Sequence, residues 1–105
     1  VTKLEHLLTI LAEECAEVAQ RISKALRFGL GEIQPGQPET NAQRIEAEMC
    51  DLIATWNVLR DMGLLRPIEY FEFVGKRAKI EKFLAYSARC GTLTDDVRHE
   101  EGPRP

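Results

Sequence analysis

Leu4, Leu8, Leu11, Cys15, Val18 and Ile22 recur at alternating steps of four and three. That spacing lays one apolar face along a helix and does not fit the strict alternation of a strand. Thr2 and Glu5 stand at capping-box spacing before it, and Gly29 and Gly31 suit its end. The pattern predicts a helix over about 2–28. A second face follows in Ile45, Met49, Leu52, Ile53, Trp56 and Leu59, opened by a Thr40/Gln43 capping box and stopped by Gly63. It predicts a helix over about 41–62. Pro67 suits the first turn of a third helix reaching about Arg89, with Tyr70, Phe73, Ile80 and Leu84 inward. Gly75 is a weak point within it, and Cys90-Gly91 closes it.

No segment reads as a convincing strand, so the expected class is all-α. The apolar arcs on the first two helices are wider than one partner helix covers. The expected architecture is a helical bundle with three main helices per chain, completing a four-helix-like core in a homo-oligomer. Residues 29–39 hold Gly31, Pro35, Gly36 and Pro38 and form a connection long for a compact helical domain. Residues 92–105 are polar, with two prolines, and read as an extended or flexible tail to a domain spanning 1–91.

The chain has 105 residues, enough for one small domain. Its 17 acidic and 14 basic residues leave no basic excess for a nucleic-acid backbone, so no nucleic-acid partner is expected. No run approaches the roughly 18 apolar residues of a membrane span. The opening Val-Thr-Lys-Leu-Glu-His does not read as a secretory signal. Three widely spaced cysteines, Cys15, Cys50 and Cys90, form no zinc pattern and suggest reduced thiols. These features together lead to a cytoplasmic expectation.

The chemistry lies in carboxylates. Glu14 and Glu17 stand three apart on the first helix, and Glu48 and Asp51 three apart on the second. Such pairs share one side of a helix, about one turn apart. An isolated pair is ordinarily a solvated patch. Stepping about 100° per residue changes that reading. Glu14 falls between Leu7 and Ile10, with Glu17 at the edge of the same arc. Asp51 falls between Val58 and Met62, and Glu48 lies beside Leu59. Glu13 turns further toward water.

Four ionised carboxylates on inward faces need protons, basic partners or a divalent metal. Arg21, one turn from Glu17, is a basic partner within reach. Oxygen ligands without His or Cys suit Mg²⁺ or Mn²⁺ over zinc. His6 lies off the apolar face and His99 in the tail, and neither is expected to be a ligand.

Glu-Glu-x-x-Glu followed by Glu-x-x-Asp on the next helix resembles the signature of the MazG-like, all-α nucleoside triphosphate pyrophosphohydrolases. The flanking Ser23-Lys24-Ala25-Leu26-Arg27-Phe28-Gly29 is similar to members of that group. The likeness covers about Leu4 to Met62. The gap between Glu17 and Glu48 stands at or beyond the long end of the family's usual spacing. The resemblance implies Mg²⁺-dependent hydrolysis of a nucleoside triphosphate to monophosphate and pyrophosphate. It implies Glu14, Glu17, Glu48 and Asp51 as metal ligands, and it also points to a homodimer. Glu14 or Glu17 would be the carboxylate that orients or deprotonates the attacking water.

A triphosphate also needs cations. Arg21, Lys24 and Arg27 on the first helix and Lys76 and Lys79 on the third are the candidates. Lys residues are mostly solvated, and Arg27 could instead favour the helix C-terminus by its charge. Phe28 is the freer candidate for a base pocket, because Trp56 lies near the centre of its apolar arc and reads as core. Cys15 also reads as core. Two other classes compete: a non-catalytic helical oligomerisation or binding module whose acidic patches hold partner arginines, and a divalent-metal-binding or storage protein.

Overall fold

The computed structural model describes residues 1–94. Three α-helices span Lys3–Phe28 (α1), Asn41–Asp61 (α2) and Tyr70–Arg89 (α3), with no strand among the described residues. The fold is all-α. The chain divides into two units, Val1–Leu65 and a second beginning at Arg66.

In the first unit, the local signals set the helix ends. Thr2 Oγ1 accepts from the Glu5 amide at 3.0 Å, and the Thr2 amide donates to Glu5 Oε1 at 2.8 Å. Thr40 and Gln43 repeat the arrangement at the start of α2, at 2.9 and 3.1 Å. Gly29 closes α1 with φ of +100°, a region glycine enters without steric cost, and its amide still donates to Ala25 O.

The loop between α1 and α2 is tied down by Asn41, which is 2% exposed. Its Nδ2 donates to Gly29 O and to Glu32 Oε1, each at 2.8 Å. Its amide donates to Glu32 O, and the next amide, of Ala42, donates to Leu30 O. The first residue after α1 is thereby pinned to the first of α2. The two helices pack together from that point as an antiparallel hairpin.

Leu59, Ala25 and Ala42 are the buried apolar residues, with Leu7, Leu11, Val18, Leu52 and Trp56 half-buried around them. Cys15 is exposed rather than packed, and Leu4, Leu8, Ile22, Met49 and Ile53 are exposed as well. The cause is geometric. One helix shields only part of its neighbour's circumference, and these side chains sit beyond that part.

The second unit is α3 with its lead-in. Arg66 grips Glu72 with both terminal nitrogens, at 2.7 and 2.6 Å, and Glu72 Oε1 also accepts the Glu69 amide at 2.9 Å. This cap starts the helix at Tyr70, so Pro67 lies ahead of it rather than in its first turn. No residue of α3 is buried. Tyr70, Phe73, Ile80 and Leu84, expected inward, are all exposed, because a unit made of one helix has no second element to cover them. From residue 95 onward the expected tail, with His99, lies outside the described residues.

Candidate metal centre

Glu14 sits about midway along α1, and Glu48 and Asp51 lie in the first half of α2. The antiparallel hairpin brings these heights together. One carboxylate oxygen from each of Glu14, Glu48 and Asp51 lies within 4.8 Å of the others. Glu17 lies close enough to Glu48 to share a hydrogen bond. Glu48 is therefore the hub of the expected quartet. Glu14 and Glu48 are half-buried, whereas Glu17 and Asp51 are exposed. The arrangement is an acidic groove along the hairpin seam, open to water on one side.

The electrostatics follow from that geometry. Partial burial raises the Glu48 carboxyl above its ordinary range. The charges of Glu17 and Glu14, the hydrogen bond shared with Glu17 and the charge of Asp51 push it the same way. One cation relieves the group: Arg21 Nε stands 4.0 Å from Glu48 Oε1. Arg21, the basic partner expected for these carboxylates, reaches across to Glu48 on the other helix. An all-oxygen set of this kind fits a hard divalent cation, with water completing its shell.

Glu13 and Gln20 join Glu14, Ala16 and Glu17 around a shallow depression of about 560 Å³ beside the carboxylates. Gln20 was not anticipated. Its signal was its position one turn beyond Glu17 on the same side of α1. Lys24 is half-buried on α1, one turn past Arg21. Arg27 and Phe28 are exposed at the end of α1, where the guanidinium lies 5.0 Å from the ring centroid. They pair with each other rather than with the carboxylates. Trp56 is half-buried, in keeping with a core role, but its Nε1 is enclosed without a hydrogen-bond partner. Lys76 and Lys79 belong to the second unit and are exposed on α3.

Comparison of the chain with protein-family models, with curated proteins and with solved structures finds no match. Among the described residues no helix is long and apolar enough to cross a membrane.

Proposed function

We propose that the α1–α2 hairpin is the active site of a Mg²⁺-dependent nucleoside triphosphate pyrophosphohydrolase, with Mn²⁺ a possible substitute. The observation that carries this reading is the meeting of Glu14, Glu48 and Asp51 within 4.8 Å, with Glu17 against Glu48. Glu14, Glu48 and Asp51 would hold the metal, which would supply positive charge to offset the negative charge that develops on the phosphates. Water attacks the α-phosphorus, the α–β anhydride bond breaks, and pyrophosphate leaves. Glu17 stands outside the triad and is the carboxylate available to take the proton from that water; Glu14 is the alternative. Arg21 and Lys24 lie on the same stretch of α1 and are assigned to the phosphates. Arg27, Phe28, Lys76 and Lys79 remain candidate contacts for phosphate or base. The reading includes a cytoplasmic homodimer with a four-helix-like core.

The test is pyrophosphate release from a panel of ribo- and deoxynucleoside triphosphates, with Mg²⁺, with Mn²⁺ and with chelator. Metal-dependent release of monophosphate plus pyrophosphate supports the assignment. Metal binding with no turnover of any nucleotide favours a metal-binding protein. Neither binding nor turnover leaves the acidic groove as a surface for basic partners.

A further inference from the structure

Arg21 is enclosed but loosely held. Its side chain is 18% exposed, whereas the other arginines in ion pairs, Arg60, Arg66 and Arg77, are 40% exposed or more. Arg60 and Arg66 each hold their carboxylate with two hydrogen bonds. Arg21 makes no hydrogen bond among the described residues, and its one ionic contact, Nε to Glu48 Oε1, is 4.0 Å long. A guanidinium carries five N–H donors in a planar fork. Holding that charge away from water with none of its donors matched is unfavourable until an anion meets it.

Its place in the groove is equally specific. Arg21 stands one turn beyond Glu17 and two beyond Glu14 on the same side of α1. Glu17, four residues back, is its ordinary helical partner, yet no ion pair joins the two. Glu17 is hydrogen-bonded to Glu48 instead. Glu48 therefore answers three claims: the triad with Glu14 and Asp51, the bond with Glu17, and the charge of Arg21.

We propose that Arg21 is a displaceable counter-ion that makes the metal load before the nucleotide: it holds Glu48 in the metal-free site, leaves it when a divalent cation is bound, and then turns to the phosphates. The proposal rests on the pyrophosphohydrolase reading above and adds the order in which that site is filled.

The order follows from charge. A cation on Glu48 cancels the attraction that holds Arg21 there and repels the guanidinium across a few ångströms. Arg21 then needs another anion, because it is too enclosed for water to solvate fully. Phosphate oxygens match its fork two at a time. Without metal the sequence fails. A triphosphate would have to draw Arg21 from Glu48 and sit beside carboxylates whose charge nothing else answers. Arg21 thus opposes the metal and assists the nucleotide, and the resulting coupling is reciprocal.

The test reads Arg21 itself, through the position and water exchange of its Nε–Hε NMR signal, assigned by its loss in Arg21→Lys. Inorganic tripolyphosphate serves as the probe, because it presents the phosphates without a base. Excess Mg²⁺, with binding followed by calorimetry, should move the signal toward that of free arginine. Tripolyphosphate should then move it again and slow its exchange. In chelator, tripolyphosphate should leave the signal unmoved and bind at least about tenfold more weakly, within the usual range of coupling between sites. Glu48→Gln in chelator should show the released signal with no metal present. The wild-type titrations decide the matter even if that variant fails to fold. Bound Mg²⁺ with an unmoved signal overturns the displacement, while the catalytic reading stands. A signal released by Mg²⁺ but indifferent to tripolyphosphate overturns the hand-over, because the guanidinium has then settled on Glu17. Equal response to tripolyphosphate with Mg²⁺ and with chelator overturns the order. Absence of Mg²⁺ binding overturns the proposal and the catalytic reading together.

Discussion

Arg21 and Glu48 face each other across the α1–α2 seam, Nε to Oε1 at 4.0 Å, each with 18% of its side chain exposed. The guanidinium is the cation closest to the hub of an acidic groove, so it stands where a metal's charge would also act. Removing it has two opposite consequences. Arg21→Gln takes away a positive charge that opposes a cation, worth about 1 kcal/mol at 4 Å in water and more where solvent is partly excluded. Titration calorimetry should show Mg²⁺ binding tightened by roughly five- to tenfold. The same variant should raise KM for the triphosphate, because a phosphate contact is lost. Weaker Mg²⁺ binding would mean that Arg21 orders the carboxylates rather than competing for them.

Glu48 supplies the sharpest separation of stability from function. Glu48→Gln keeps the shape of the side chain and removes the hub charge. Turnover should fall at least about 100-fold, the equivalent of roughly 2.7 kcal/mol of transition-state stabilisation. The fold should not suffer. Because its carboxyl is raised in the folded chain, Glu48 contributes stability below its ordinary value of 4.5 and loses it as pH rises through the raised one. Thermal melts in chelator should therefore show Glu48→Gln at least as stable as wild type at pH 7.5, with no such gain at pH 4. Wild-type turnover by the variant would remove Glu48 from the site.

Helix ends were legible wherever the determining contact is local. The Thr2/Glu5 and Thr40/Gln43 capping boxes form as their three-residue spacing requires. Pro67 misled because the start of α3 is set by Arg66 holding Glu72, a contact across six residues that propensity does not weigh. The meeting of the carboxylates was legible for a similar reason: two pairs at i, i+3 share a height once the hairpin closes. Burial was less so. Cys15 and Ile22 share a periodic face with Val18, yet the packed sector of α1 takes Val18 and leaves the other two exposed. Which sector is covered depends on the neighbour, and periodicity alone does not name it.

Glu72 gives the opposite pH sign from Glu48. The hydrogen bonds from Arg66, then the Glu69 amide, hold its carboxyl down to about 2 from the ordinary 4.5. Its stabilising contribution is present above 4.5 and lost as pH falls toward 2. Arg66→Ala should return the Glu72 carboxyl toward the ordinary range, read by carbon-detected NMR titration. The effect on global stability should be small, because Arg66 is largely exposed and surface pairs contribute little. An unmoved titration in the variant would show that the Glu69 amide suffices to set it.

Asn41 carries the loop. Its amide nitrogen donates to both Gly29 O and Glu32 Oε1. The sequence hides this, because the partners lie twelve and nine residues back and asparagine at the start of a helix is ordinary. Asn41→Ala takes that donor from the Gly29 carbonyl, which still accepts the Glu32 amide at 3.3 Å, a loss of roughly 0.5–1.5 kcal/mol. Denaturant unfolding should show a lowered midpoint with an unchanged slope. Residues 29–40 should become the first site cut by a limiting protease, because the segment loses the side-chain tie that holds it to both helices. The loop joins the two helices whose register sets the Glu14–Glu48–Asp51 distances, so Mg²⁺ affinity should fall in the same variant. Unchanged affinity in a destabilised Asn41→Ala protein would show that helix packing alone holds the groove together.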